Sequence, residues 1–128
     1  MINVAIVDDH ALVRTGLRQF LSEETDLRVL AEAASGREAI DLVRLQPDLD
    51  VLILDLSMPG QSGLDALAMI RAKAPDLAIL ILSGFPEEHY AMNLIRQGAS
   101  GYLNKECDPA EIVRAIRTVA QGLSLIHI

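Results

Sequence analysis

Several polar residues follow directly on short apolar runs, at positions where a buried strand would end. Asp8 and Asp9 follow NVAIV, Asp55 follows VLIL, Ser83 follows LAILIL and Lys105 follows GYLN. Carboxylates held close together repel one another unless a cation shares their site, and Mg²⁺ is the usual cation where oxygen ligands and phosphate meet. The lysine and the hydroxyl add a point charge and a hydrogen-bond donor for an anion. These residue types together predict a metal site, a nucleophilic carboxylate and ligands for phosphoryl oxygens.

The elements that must position these residues are visible in the hydrophobic pattern. Segments with helical spacing separate apolar runs at 3–7, 27–33, 51–56, 77–82 and 101–103. Five strands alternating with five helices predict crossover units, a parallel sheet and helices on both of its faces. VLILDL and LAILIL do not alternate, as is typical of central strands, whereas LRVLAEA alternates and is predicted to form an edge. The carboxyl ends of such strands share one edge of the sheet, where ligands bind.

Helix ends have clear local signals. Ser35 with Glu38 forms a capping box, and Asp108 is followed by proline at the first helical position. Gly98 and Gly122 stand where helix ends need a left-handed residue.

The first helix is predicted to bury one face, made of Val13, Leu17, Phe20 and Leu21. Acids at strand ends also cap helices, and this is the alternative role of Asp9.

Composition narrows the class of protein. The chain has 128 residues, enough for one domain with one good core. No apolar run approaches the roughly 18 residues needed to span a bilayer, and the N-terminus does not resemble a signal peptide. The single cysteine, Cys107, rules out an internal disulfide and is compatible with a reducing cytoplasm. A net charge of −7 argues against nucleic-acid binding by this segment itself.

The motifs VDDHALVRTGL, LDLSMPGQSGLDAL and GASGYLNKE resemble, in this order, the receiver domains of bacterial two-component response regulators, in particular the LuxR-type (NarL/FixJ) subfamily. The family's acidic pair, phosphoacceptor, hydroxyl residue and lysine match Asp8-Asp9, Asp55, Ser83 and Lys105. The resemblance implies a flavodoxin-like doubly wound (βα)5 fold, an α/β three-layer sandwich with a five-stranded parallel sheet of order 2-1-3-4-5. We expect a receiver domain at 1–122 and a tail at 123–128, either a linker remnant or non-native.

The resemblance assigns chemical roles to the site residues. Asp55 would accept a phosphoryl group from a sensor histidine kinase, or from a small donor such as acetyl phosphate. Lys105 would pair first with Asp55 and then with the phosphoryl oxygens. Mg²⁺ would be held by Asp9, Asp55 and the backbone carbonyl of Ser57, while Asp8 would act through metal-bound water. The protein would catalyse only its own phosphorylation and dephosphorylation.

The resemblance also implies how the signal leaves the site. The hydroxyl of Ser83 would turn toward the phosphoryl group, Tyr102 would swing into the space that opens, and the face around the fourth and fifth helices would change. Gly84 would leave room for the phosphoryl group, and Ser57 and Phe85 would flank the approach of hydrolytic water. Phosphorylation would favour a homodimer, and a missing C-terminal helix-turn-helix domain would bind DNA. No membrane partner is expected.

Two other interpretations and one departure stand beside this one. A stand-alone receiver would act through protein contacts alone. A phosphatase of the haloacid dehalogenase class needs a second aspartate two residues after the nucleophile, where this chain has Ser57. Many receivers place a cis proline after the lysine, whereas Glu106 follows Lys105 here. The geometry of that peptide bond is therefore left open. His10 is expected to face solvent or to cap the first helix.

Overall fold

The structure, a computed structural model, describes residues 1–55, 63–83, 95–123 and 125–126. Its elements are β1 (Ile2–Val7), α1 (Ala11–Ser22), β2 (Leu27–Ala33), α2 (Gly36–Leu45), β3 (Val51–Asp55), α3 (Gly63–Lys73), β4 (Ala78–Ser83), β5 (Gly101–Asn104), α4 (Pro109–Ala120) and β6 (Leu125–Ile126). The helix predicted between β4 and β5 falls largely on residues outside the described ranges. The helix labelled α4 is therefore the fifth predicted one.

All strands are parallel, and their order is β2-β1-β3-β4-β5-β6. The first five strands confirm the predicted order 2-1-3-4-5, and β2 lies at the edge, as its alternating pattern indicates. The sequence did not predict β6, a two-residue strand that pairs Leu125 with Gly101 and Ile126 with Tyr102. Part of the expected tail therefore extends the sheet beyond β5.

Two apolar layers cover the sheet, one on each face. Every residue of β3 and β4 is buried, and their side chains alternate between the layers. Leu52 and Leu54 belong to the layer shared with α2 and α3, whereas Val51 and Ile53 belong to the layer shared with α1 and α4. Burying a side chain of this size contributes about 1.5–3 kcal/mol. The two layers therefore fix the three-layer sandwich and hold the strand ends in place.

The helix-end predictions are confirmed. Ser35 Oγ accepts a hydrogen bond from the Glu38 backbone N–H at 3.2 Å, and Asp108 Oδ1 accepts one from Ala110 N–H at 3.0 Å. The two capping hydrogen bonds satisfy backbone groups that a helix end leaves without partners. Gly98 and Gly122 have φ of 113° and 84°, the left-handed conformation that was predicted for them.

The predicted apolar face of α1 is only partly correct. Leu21 is buried, and Leu17 and Phe20 pack partly against the core, but Val13 is 41% exposed. The C-terminal half of α1 packs against the core. Its first turn lies next to Asp8 and Asp9, at the carboxyl edge of the sheet. In the ranges that the structure covers, no helix has the length and hydrophobicity to cross a membrane.

Candidate active site

The site forms where four neighbouring parallel strands end. The register pairs Val7 with Leu54, Asp55 with Leu82 and Ser83 with Asn104, so β1, β3, β4 and β5 end at the same edge of the sheet. Asp8, Asp9, Asp55, Ser83 and Lys105 are therefore brought to one edge, as the sequence predicted. Because the strands themselves are buried, only the residues at their carboxyl ends can contact a ligand.

A lysine and two carboxylates form the centre of the site. Lys105 Nζ lies 2.9 Å from Asp55 Oδ2 and 3.6 Å from Asp8 Oδ2. Asp55 is 1% exposed and Asp8 3%. Burial lowers the pKa of Lys105, but the hydrogen bond and charge of Asp55, together with the charge of Asp8, outweigh this and raise it above its ordinary value. The lysine is therefore a permanent cation at neutral pH, held against the carboxylate of Asp55.

The acid pair and its neighbours form a set of groups that could bind a cation. Asp8, Asp9, His10 and Asp55 each offer a ligand atom, and these atoms lie within 4.8 Å of one another. Asp9 Oδ1 is buried and makes no hydrogen bond among the described residues, although His10 Nδ1 lies 3.0 Å away. A buried carboxylate oxygen without a hydrogen bond, beside two further carboxylates, suits a hard divalent ion. The residues present therefore fit Mg²⁺.

His10, rather than Asp9, occupies the cap position of α1. The His10 side chain makes no capping hydrogen bond to the helix. Asp8 Oδ1 instead accepts a hydrogen bond from the His10 backbone N–H at 2.8 Å, and His10 Nδ1 lies 3.2 Å from the same oxygen. His10 was expected to face solvent or to cap α1, and its side chain is 59% exposed while the residue stands at the cap position without capping the helix. The alternative role of Asp9 as the helix cap is not what the structure shows.

Ser83 and Tyr102 lie on neighbouring strands with both side chains buried. Ile81 pairs with Tyr102 and lies two residues before Ser83, so Ser83 and Tyr102 point to the same face of the sheet. The Ser83 carbonyl also accepts a hydrogen bond from the Lys105 backbone N–H at 2.7 Å. The end of β4 is thus bonded directly to the residue that carries the site's cation.

The turn after Lys105 is built without a cis bond. The described residues contain no cis peptide, so the bond between Lys105 and Glu106 is trans. Asn104 closes the turn, with its Oδ1 accepting from Glu106 N–H at 2.8 Å and its carbonyl accepting from Cys107 N–H at 3.0 Å. Burial, aided by the charges of Glu111 and Asp108, raises the pKa of the Cys107 thiol, so this thiol is not activated.

Some predicted residues lie outside the described part of the chain, and one contributing residue was not predicted. Ser57, Gly84 and Phe85 lie outside the described residues. Arg14, on α1, was missed: its Nη1 donates a hydrogen bond to the Asp8 carbonyl. Its position one turn after His10, on the same side of the helix, was the available signal.

Comparison with known proteins identifies the family. The family described as the response regulator receiver domain matches residues 4–117. The chain belongs to this family. The receiver is 47% identical over 120 residues to the oxygen regulatory protein NreC of Staphylococcus epidermidis, covering 93% of this chain and 55% of NreC. It is 36% identical over 126 residues to the transcriptional regulatory protein DegU of Brevibacillus brevis, covering 98% of this chain and 53% of DegU.

Solved structures agree with the assignment. A LuxR family response regulator from Aurantimonas sp. SI85-9A1 superposes with a TM-score of 0.90 and 36% identity, covering 96% of this chain and 87% of that one. The receiver domain of the response regulator NarL from Mycobacterium tuberculosis gives 0.86 and 33%, covering 94% and 97%. The receiver is thus of the NarL/LuxR type, a family of regulators rather than of phosphatases. It spans about half the length of the curated relatives that it matches.

Proposed function

We propose that the receiver is a switch operated by phosphorylation of Asp55. One Asp55 carboxylate oxygen attacks phosphorus and forms a P–O bond. The P–N bond of a kinase phosphohistidine, or the P–O bond of acetyl phosphate, breaks, and imidazole or acetate leaves with the electron pair. The observation that carries this proposal is the 2.9 Å contact between Lys105 Nζ and the buried Asp55 carboxylate, next to Asp8. The protein's own contribution is this self-phosphorylation and the later loss of the phosphoryl group.

The chain's residues supply position and countercharge for this transfer, which dominate catalysis of phosphoryl transfer. Lys105 keeps its proton and can follow the negative charge from Asp55 to the phosphoryl oxygens. Asp8, Asp9, Asp55 and the backbone carbonyl of Ser57 would hold Mg²⁺, which when bound would offset the charge of the carboxylates and of the incoming phosphoryl group. The Asp9 oxygen that lacks a hydrogen bond supports this assignment. Gly84 would leave space for the phosphoryl group.

The output of the switch is also a proposal. Phosphorylation adds about −1.5 to −2 charge and three acceptor oxygens, toward which Ser83 would turn its hydroxyl while Tyr102 changes position. That change would favour a homodimer, which sedimentation with and without beryllofluoride would test.

A sensor histidine kinase in the cytoplasm would supply the phosphoryl group. A C-terminal helix-turn-helix domain outside this chain would bind DNA, in keeping with the similarity to the transcriptional regulatory protein DegU. The alternative is a receiver that acts through protein contacts alone.

Mass spectrometry tests the assignment of Asp55. With acetyl phosphate and Mg²⁺, the wild type should gain the mass of one phosphoryl group, and Asp55→Asn should gain none. EDTA should suppress the reaction in the wild type. Asp65→Asn, a change in the first turn of α3, is the matched control and should be phosphorylated like the wild type. Phosphorylation that persists in Asp55→Asn, or that proceeds at full rate in EDTA, would refute the proposal.

A further inference from the structure

Arg14 joins three elements at the acid pair. Its Nη1 donates a hydrogen bond to the Asp8 carbonyl at 2.5 Å, and its Nε lies 3.3 Å from Glu32 Oε1 on β2, an ion pair without a hydrogen bond. The Arg14 side chain is only 19% exposed. A guanidinium is planar and always charged, so one of its nitrogens can donate to a carbonyl in a fixed geometry while its charge pairs with a carboxylate. Arg14 is thus a bridge from α1 to the end of β1 and to β2.

The Asp8 carbonyl needs such a partner because of where the strands end. The Asp8 backbone N–H donates to the Ala33 carbonyl at 3.0 Å, which extends the β1–β2 ladder by one bond. β2 ends at Ala33, so the next carbonyl on this side, that of Asp8, lies beyond the ladder. Arg14 takes the position that a further strand residue would otherwise fill. The peptide joining Asp8 to Asp9 is therefore held by a side chain at the edge of the site.

We infer that Arg14 is a positioning residue for the acid pair, setting the orientation of the Asp8–Asp9 peptide and thereby the affinity of the site for a divalent cation. This inference rests on the proposed function, since it concerns the cation that the acid pair would bind. Arg14 contacts a backbone carbonyl and Glu32, and it acts on the site through the peptide that carries Asp9.

Two effects of Arg14 on cation affinity oppose one another. Its positive charge repels a cation, whereas its hydrogen bond orders the ligands. Glu32 forms ion pairs with both Arg14 and Arg18, the latter at 2.7 Å, and this offsets the repulsion. Groups that orient metal ligands without touching the metal typically change metal affinity by about 10–100-fold. We therefore expect ordering to dominate, so that loss of Arg14 weakens Mg²⁺ binding.

Arg18 offers a matched control on the same helix. It pairs with the same glutamate as Arg14, but its side chain is 57% exposed and no hydrogen bond joins it to Asp8 in the described structure. Arg18→Gln thus removes one cation and one ion pair while leaving the Asp8 carbonyl bonded. Arg14→Gln removes the bridge, and Arg14→Lys keeps the charge but lacks the planar group that bonds the Asp8 carbonyl while pairing with Glu32.

The experiment is calorimetric titration of Mg²⁺ into EDTA-stripped protein, with circular dichroism to confirm folding. Arg14→Gln and Arg14→Lys should each bind Mg²⁺ about ten-fold more weakly than wild type, with Arg18→Gln within two-fold of it. At saturating Mg²⁺, phosphorylation of both Arg14 variants by acetyl phosphate should approach the wild-type rate, which a general structural defect would prevent.

Several results would overturn the inference while leaving the proposed function intact. Arg14→Gln could bind Mg²⁺ as tightly as Arg18→Gln does, or Arg14→Lys could bind it as tightly as the wild type, which would mean that the geometry of the guanidinium does not set the affinity. Failure of both Arg14 variants to fold would mark Arg14 as a residue of the fold. If the wild type bound no Mg²⁺, the proposed function would fail together with the inference.

Discussion

Lys105 Nζ lies 2.9 Å from Asp55 Oδ2, although the two residues are 50 positions apart in the chain. The ammonium therefore occupies one side of the carboxylate that we propose to be phosphorylated. A cation that binds the same carboxylates must share them with this ammonium. Lys105 thus both stabilises the metal-free site and opposes the binding of a second cation there.

Lys105→Met should therefore destabilise the metal-free protein and tighten Mg²⁺ binding several-fold. Hydrogen bonds to charged groups contribute about 1.5–3 kcal/mol to the free energy of unfolding. Because Lys105 is partly exposed, we expect its loss to cost a value near the lower end of this range. Because the pKa of Lys105 is raised, the Tm difference from wild type should be full below about pH 10 and shrink as the pH rises through the folded-state pKa. Lys73→Met, at an exposed lysine ending α3, is the control. An unchanged Tm and Mg²⁺ affinity in Lys105→Met would contradict this.

Phe85 should slow the loss of the phosphoryl group. This prediction rests on the sequence, because Phe85 lies outside the described residues. In receivers, the side chains two positions after the phosphoacceptor and after the hydroxyl residue flank the attacking water, and here these are Ser57 and Phe85. Phenylalanine has no group with which to orient water, and positioning is a large part of catalysis. The phosphorylated forms of Phe85→Glu and Phe85→Ala should lose the phosphoryl group several-fold faster than the wild type in a dephosphorylation assay. If neither does, Phe85 is a packing residue.

Arg117 on α4 holds the loop between α1 and β2. Its Nε and Nη2 lie 2.9 Å from the two Asp26 oxygens, and Nη2 lies 2.7 Å from Glu24 Oε1. The hydrogen bond with Arg117 lowers the pKa of Asp26. A depressed acid pKa stabilises the fold above the ordinary value of about 4, and this contribution is lost as the pH falls through the folded-state pKa.

Arg117→Gln should accordingly lower the Tm slightly at neutral pH, and its difference from wild type should close at acid pH. The effect is expected to be small because the Arg117 and Asp26 side chains are 40% and 45% exposed, so solvent screens the pair. Arg114→Gln, which removes a looser pair with Glu111 at 3.9 Å on the same helix, should show no such pH dependence. A pH-independent difference for Arg117→Gln would mean that packing, rather than the ion pair, is responsible.

The sequence predicted the site well because its signals are local. Asp55 and Lys105 each follow an apolar run. Because the carboxyl ends of parallel strands lie at the same edge of the sheet, residues that follow different strands are brought together. The contacts of Arg71 and Arg117 could not be predicted, for the opposite reason. Arg71 bonds a carbonyl 27 residues away, and Arg117 bonds an acid 91 residues away. Such partners depend on how loops meet, and a long flexible side chain leaves no periodic pattern. The short β6 was missed because two residues are too few to form a recognisable run.

Arg71 and Gly98 provide the last prediction. Arg71 Nε donates to the Gly98 carbonyl at 3.0 Å, and its Nη1 donates to the carbonyls of Ala74 and Pro75 at 3.1 and 2.9 Å. A Cβ at Gly98 would lie 3.0 Å from Arg71 Cγ, on a backbone with φ of 113°. Gly98→Ala therefore combines backbone strain with displacement of the arginine that joins α3 to the start of β5.

Gly122 separates these two costs, because its φ is 84° but an added Cβ would meet nothing within 4 Å. Gly122→Ala should lose only the strain of a left-handed backbone, about 1–2 kcal/mol. Gly98→Ala should lose more in free energy of unfolding, because the guanidinium must also shift. Gly16→Ala, at an open position inside α1, should instead stabilise the protein by about 0.5–1 kcal/mol. Urea unfolding of the three variants measures the order. Equal losses for Gly98→Ala and Gly122→Ala would show that Arg71 moves aside without cost and does not hold this corner of the receiver.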